Sequence, residues 1–176
     1  MPERCIINTS LNKYMAIKRI IVEGPDCSGK STVVERIKNM LRWDSKSLHH
    51  KDILQFPRYL KEYANAEEIV FDRSHISEIV YSILWRDGNP FSKGEEKILD
   101  LILQHESLII FACPSLELMR SRFNSRKFPQ QIKFEELVKS RELFISKLGE
   151  ISFIPYLSNN FLELDELLEK IRSLVK

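Results

Sequence analysis

The sequence predicts an α/β fold, a parallel sheet of about five strands covered by helices on both faces. Three observations carry that prediction. Strand-like apolar runs alternate with amphipathic helical repeats along the chain. The two strongest runs, Lys18 to Glu23 and Leu108 to Cys113, have the continuous apolar centres of strands buried on both faces. The first of them passes through a glycine turn straight into a helix, in the stretch Ile20 to Thr32, IIVEGPDCSGKST.

Residues 1–14 show neither helical nor strand period and read as an N-terminal extension ahead of that strand. Behind the glycine turn, Val33, Val34, Ile37, Met40 and Leu41 fall at helical spacing. Asp44 to Pro57 has no clear pattern; Leu48 is the expected start of a short second strand, and Pro57 should interrupt any helix there. Tyr59 to Ala66 reads as a short helix, Glu68 to Phe71 as a brief strand ending in Asp72-Arg73-Ser74. Ile76, Ile79, Val80, Ile83 and Leu84 then repeat as one face of a helix that Asp87-Gly88-Asn89-Pro90 stops. Ser92 and Glu95 form a capping-box pair ahead of the next helix. After the apolar run 108–113, Pro114 ends the strand, and Ser115 caps a helix that carries Met119 and Phe123 inward and ends near Arg126. Phe134 to Leu148 is amphipathic, with Leu137, Val138, Phe144, Ile145 and Leu148 inward. Ser152 to Leu157 is the last strand, held to an edge or strand end by Pro155, and Leu164 to Val175 closes the chain as a helix.

With 176 residues the chain is expected to be a single domain, 1–176, able to bury a core without staples. A net charge of +2 favours no partner strongly and makes a nucleic-acid partner unlikely. Cys5, Cys27 and Cys113 fit neither a disulfide framework nor a zinc spacing, so a reducing, cytoplasmic location is expected. No membrane-length apolar run and no signal-peptide pattern is present.

Gly24, Gly29, Lys30 and Ser31 have the G-x-x-x-x-G-K-S spacing of a phosphate-binding loop. Glycines let the backbone curl so that several N–H groups face phosphate oxygens, and the following helix adds the positive end of its dipole. Gly24, Asp26, Cys27, Ser28, Gly29, Lys30, Ser31 and Thr32 are therefore expected to hold ATP, with Lys30 on the terminal phosphates and Ser31 on Mg2+. Asp72 lies where a strand ends, able to hold magnesium through water, and Arg73 beside it can grip a phosphoryl group in a fork; a plain strand-end ion pair is the competing reading. Arg120, Arg122 and Arg126 precede a loop with Pro129, Gln130 and Gln131. This region, about 120–133, is expected to be a lid whose Arg122 and Arg126 cover the transferring group. Arg120 is equally well read as a solvated charge at a helix end. Cys27 reads as small-residue packing in preference to a reactive thiol, His49 and His50 as surface histidines, and Asp52 as an available base.

The loop Glu23 to Thr32, EGPDCSGKST, resembles the E-G-x-D-x-x-G-K-[ST]-T form of thymidylate kinases and their deoxynucleoside-kinase relatives, and Asp72 to Tyr81, DRSHISEIVY, is similar to their D-R-x-x-x-S-x-x-x-Y. The resemblance implies a three-layer P-loop nucleotide kinase, Asp26 near the acceptor sugar or transferring phosphate, Arg73 on the acceptor phosphate, and Ser77, Tyr81 and Arg86 lining the acceptor pocket. A homodimer is implied too. In that family a phosphate loop without arginine goes with a basic lid, and this loop has Cys27 and Ser28. Ser77 and Tyr81 share a helix face by spacing alone, although Tyr81 also suits a core or rim aromatic. Two features depart from the family: Ser82 replaces the usual glutamine after the tyrosine, and no arginine-glutamate-proline segment is recognisable in Ser47 to Arg58.

The expected activity is magnesium-dependent transfer of the γ-phosphoryl group of ATP to a small-molecule acceptor, a deoxynucleoside monophosphate, thymidylate or another pyrimidine. The alternatives are a deoxynucleoside kinase, a kinase for a nucleic-acid end or modified base, and a non-catalytic ATP switch. Adenine is expected near Ser158 to Asn160.

Overall fold

The computed structural model describes residues 16–48, 56–86, 88–126, 132–149, 151–158 and 160–175. The extension 1–14, His49, His50, Asp52, Pro129, Gln130 and Gln131 lie outside the described residues.

Five strands, β1 (Arg19–Glu23), β2 (Asp44–Ser47), β3 (Ile69–Asp72), β4 (Ser107–Ala112) and β5 (Ile154–Tyr156), form one sheet in the order β2-β3-β1-β4-β5. Every pairing is parallel. The helices are α1 (Lys30–Leu41), α2 (Phe56–Ala64), α3 (His75–Trp85), α4 (Lys93–Gln104), α5 (Leu116–Asn124), α6 (Phe134–Leu148) and α7 (Phe161–Leu174). Side chains alternate across the sheet, so β1 sends Ile20 and Val22 to one face and Ile21 to the other. The first face packs Val33 and Ile37 of α1 and Leu164, Leu167 and Ile171 of α7 against Leu108 and Ile110. The second joins Phe71, Ile109 and Phe111 to Tyr59 and Tyr63 of α2, Ile79 of α3, Leu99 of α4 and Phe144 of α6. Burial of both faces is what makes a sheet of parallel strands stable. No described helix is long and apolar enough to cross a membrane.

The expected caps at Ser92 and Ser115 form, each accepting a backbone N–H at the start of its helix, and the Ser92–Glu95 box closes in both directions; Ser74 caps α3 in the same way. Two expectations are corrected. The second strand is Asp44–Ser47 and ends before Leu48; it is an exposed edge strand of polar residues, so its pairing with β3 leaves no apolar signature. Pro57 does not interrupt a helix but sits in the first turn of α2, where a missing N–H leaves no bond unmade. Pro155 lies on β5, the opposite edge, where a missing donor is tolerated.

Candidate active site

Central β1 ends at Glu23, and the chain turns under the carboxyl ends of β3 and β4 before α1 begins. Gly24, at φ +143°, lies so close to β4 that a Cβ would stand 2.3 Å from the Ala112 carbonyl oxygen. Gly29 caps α1 at φ +91°, and a Cβ there would meet Ser158 Oγ at 3.0 Å and Arg122 Nη1 at 3.2 Å. Both glycines are needed for conformation and for space. The Lys30 ammonium is buried and donates to the Pro25 carbonyl at 2.7 Å. Its pKa falls from 10.5 to about 8, first because burial disfavours the charge and next because Arg73 stands near. Cys27 is buried against Met119 and Leu137, and burial pushes its thiol pKa up, as expected of a packed cysteine and not a reactive one.

The second motif folds onto the first. The backbone N–H of Arg73 donates to Val22 O at 3.1 Å, and Glu23, with no exposed surface, accepts from Ser74 N at 2.6 Å, Ser74 Oγ at 2.5 Å and Ser77 Oγ at 2.5 Å. Arg73 adopts φ +79°, a left-handed conformation costly for a side chain of this size. Its guanidinium donates to Asp26 Oδ1 at 2.7 Å and stands 4.8 Å from the centre of the Tyr81 ring. Burial alone would raise the Asp26 pKa, but Arg73, Lys30 and Arg126 together hold it below the ordinary value. Arg73 itself is pushed the other way; burial opposes its charge, and the Tyr81 and Asp26 interactions more than offset that.

One cleft of about 540 Å³ is lined by Asp26, Cys27, Ser28, Gly29, Lys30, Ser31, Thr32, Asp72, Arg73, Arg122, Arg126, Tyr156, Ser158, Asn160 and Leu164. The structure thus brings together the phosphate loop, the residues Asp72 and Arg73, and Arg122 and Arg126. Arg122 donates to Ser158 Oγ at 2.8 Å, Ser158 O at 3.0 Å and Cys27 O at 3.4 Å, tying α5 to the loop and to the segment after β5. Arg120 stays outside the cleft, its guanidinium 4.2 Å from the Phe134 ring centre.

Ser77, Tyr81 and Arg86 do not line this cleft. Ser77 is occupied by Glu23, Tyr81 lies under Arg73 and stacks on Trp85 with centroids 5.0 Å apart, and Arg86 pairs with Glu78 at 2.5 Å. His75 is fully buried: Tyr63 Oη stands 3.0 Å from its Nδ1, and its Nε2 stands 2.9 Å from Asp100 Oδ1. Sequence reasoning missed Tyr156 and Leu164 in the cleft and the role of Glu23, whose signals were its place at the strand end and at the head of the E-G-x-D-x-x-G-K pattern.

Whether magnesium suits this site can be judged from its donors. Ser31 is exposed at the start of α1, and Asp72 Oδ1 is buried with no hydrogen-bond partner among the described residues. Hard oxygen donors on the wall of a phosphate cleft fit that ion.

No family model and no curated protein matches the chain. Solved structures do. YorR protein from Bacillus subtilis in complex with phosphorylated GDP superposes with a TM-score of 0.76 at 19% identity, over 89% of this chain and 95% of that one. The chain has the P-loop kinase fold. Deoxyadenosine kinase from M. mycoides with bound dCTP gives a TM-score of 0.61 at 15% identity, over 88% and 99% of the two chains. Thymidylate kinase from Candida albicans gives 0.59 at 14% identity, over 91% of each. The P-loop kinase fold accounts for the sheet order, for the loop after β1 and for the cleft at the carboxyl ends of the strands.

Proposed function

We propose that the chain transfers the γ-phosphoryl group of ATP to the phosphate of a deoxynucleoside monophosphate. The observation that carries this reading is the sharing of one cleft by two anion-binding devices, the Lys30 loop and the Arg73 fork. The loop amides and Lys30 hold the donor phosphates, while Arg73, fixed by Asp26, holds the acceptor phosphate. Arg122 and Arg126 neutralise charge on the group in transfer, which in phosphoryl transfer is most of the catalytic task. Ser31 and Asp72 would hold magnesium, which would supply positive charge to offset that of the donor phosphates. Tyr156, Ser158 and Asn160 take the adenine side of the cleft. An acceptor phosphate, with a second pKa of about 6, needs no base to become a nucleophile.

A second reading, phosphorylation of a nucleoside 5′-hydroxyl, draws support from the unpartnered Asp72 Oδ1, a carboxylate oxygen able to take the hydroxyl proton. The thymine or other pyrimidine preference rests on the resemblance of the two motifs. Incubation with ATP, Mg2+ and a panel of deoxynucleosides and their monophosphates tests both readings. Diphosphate products support the first, monophosphates made only from nucleosides reverse the acceptor, and ATP binding without any transfer refutes both.

A further inference from the structure

The backbone of Arg73 sits at φ +79°, a left-handed conformation that a side chain of this size keeps only where its surroundings over-determine it. Two anchors on the residues that follow supply that constraint, and the second has no part in phosphoryl transfer. Ser74 is held by Glu23, and His75, the first residue of α3, is held by Tyr63 of α2. The His75 backbone N–H, one of the donors that a helix start leaves without an intrahelical partner, donates to Tyr63 Oη at 3.1 Å. Its ring returns Nδ1 to within 3.0 Å of the same oxygen, and Nε2 stands 2.9 Å from Oδ1 of Asp100 on α4. The imidazole has no exposed surface and is ringed by Tyr59, Tyr63 and Phe91 at centroid distances of 6.1, 6.0 and 6.3 Å. For packing alone, phenylalanine would fill that aromatic cage without two polar nitrogens to satisfy. Asp100 lies at the outer end of the string, its side chain 29% exposed, on a cavity of about 140 Å³ that Glu96, Ser146 and Lys147 also line. A chain of contacts therefore runs from a carboxylate near the surface of α4, through a buried imidazole, to the backbone two residues beyond Arg73.

We propose that His75 and Asp100 are positioning residues that hold Arg73 in its strained, acceptor-gripping conformation. The effect on the acceptor rests on the reading of Arg73 given above. An ionised carboxylate only accepts, so Asp100 draws the Nε2 hydrogen and fixes the rotation of the ring. The fixed ring keeps Nδ1 on Tyr63 Oη, and that oxygen in turn keeps the His75 N–H. With Glu23 on Ser74 as well, Arg73 cannot leave its left-handed conformation without breaking buried hydrogen bonds. Removing Asp100 frees the ring to turn, loosens the clamp on residue 75, and lets Arg73 relax away from Asp26. Lys30 and the loop amides have no member in this string, so the loss falls on the acceptor and spares the donor. A histidine present only for packing predicts the opposite, a lower stability with both substrates held as before.

The test compares wild type with Asp100→Ala, Asp100→Asn and His75→Phe by melting temperature, by the KM for ATP and for the deoxynucleoside monophosphate that wild type turns over best, and by the NMR resonance of the Arg73 Nε–H without substrates. Asp100→Ala should raise the acceptor KM by about 10-fold, the worth of one hydrogen bond to a charged group, leave the KM for ATP unmoved, and shift or broaden the Arg73 resonance. Asp100→Asn, whose Oδ1 still accepts from Nε2, should recover most of that loss. His75→Phe fills the cage without the nitrogens and should behave as Asp100→Ala does, at a melting temperature no lower than that of wild type. An Arg73 resonance unmoved in Asp100→Ala overturns the proposal, as does a His75→Phe protein that binds both substrates as wild type does. Should His75→Phe not fold, Asp100→Ala, altered at a partly exposed position, decides alone. A shifted resonance with an unchanged acceptor KM would keep the positioning of Arg73 and sink the reading of Arg73 as the acceptor grip. Were wild type to transfer no phosphoryl group, the kinase reading would fail and the resonance alone would judge this one.

Discussion

Replacing Lys30 by methionine should make the free protein more stable while destroying its activity. The ammonium is 6% exposed, and its pKa falls from 10.5 to about 8, first through burial and second through Arg73. A depression of that size is a penalty on the charged form of about 3 kcal/mol. Below pH 8 folded and unfolded chains both carry the proton, and the folded chain bears the whole penalty. Between pH 8 and 10.5 the folded chain sheds the proton and the unfolded chain keeps it, so stability rises with pH; above 10.5 the penalty is gone. Methionine has a similar length and no charge, but it leaves the Pro25 carbonyl without its donor, which returns about 1 kcal/mol. The net gain at pH 7 is about 2 kcal/mol, or about 4–8 °C in Tm for a chain of this size. Urea and thermal unfolding of both proteins without nucleotide, at pH 7 and pH 9.5, measure it. Titration of the folded ammonium relieves about 2 kcal/mol of the penalty by the higher pH, so the gap should nearly close there. Transfer by the variant should fall at least about 10²-fold, because the donor phosphates lose their main cation. A variant less stable than wild type at pH 7, or a gap that ignores pH, would refute the reasoning.

Three further substitutions probe the scaffold. Gly24→Ala places a methyl carbon 2.3 Å from the Ala112 carbonyl at φ +143°, so urea unfolding should show a loss of about 3 kcal/mol or more. Arg19, 4% exposed, donates to the carbonyls of Tyr63, Ile102 and His105 and so caps the C-termini of α2 and α4. Arg19→Met strands those acceptors and should cost about 3 kcal/mol or more in the same assay, with the affinity for ATP of the folded fraction unchanged. Asp26→Asn releases the Arg73 guanidinium and should raise the acceptor KM by about 10-fold with the donor KM little moved. In the wild type the Asp26 pKa is below 3.8, so its contribution to stability is present above that pH and is lost as pH falls through the lower folded value. Acid unfolding of the asparagine variant should lack that component.

The fold was legible wherever burial on both sheet faces left continuous apolar runs. β1, β3 and β4 stand within a residue or two of their expected limits, and the serine caps of α4 and α5 mark true helix starts. β2 was not legible, because DSKS at a solvent-facing edge is recruited by the backbone of β3 and carries no pattern of its own. Within the cleft, spacing alone identified the loop from Gly24 to Thr32 and singled out Asp72, Arg73, Arg122 and Arg126. Spacing could not say where hydroxyls and long side chains spend their hydrogen bonds. Ser77 shares a face with Tyr81 as expected, yet its hydroxyl is taken by Glu23, and Arg86 reaches back two turns to Glu78. Such pairings arise only when β1, α2 and α3 are brought together in three dimensions.

Glu23 shows why the two halves of the site should act as one body. It is the last residue of β1, immediately before the donor loop, and its carboxylate holds the first turn of α3, immediately after Arg73. The Val22 carbonyl holds the Arg73 backbone, and Asp26 holds its side chain, so with Glu23 three anchors from one strand and its loop tie Arg73 to the Lys30 loop. In-line transfer of the proposed kind demands closely placed reacting atoms, and such a join would hold the two sides of the cleft in register. The lid arginines are fixed differently. Arg122 is tied to the loop through the carbonyl of Cys27 and to the segment at Ser158.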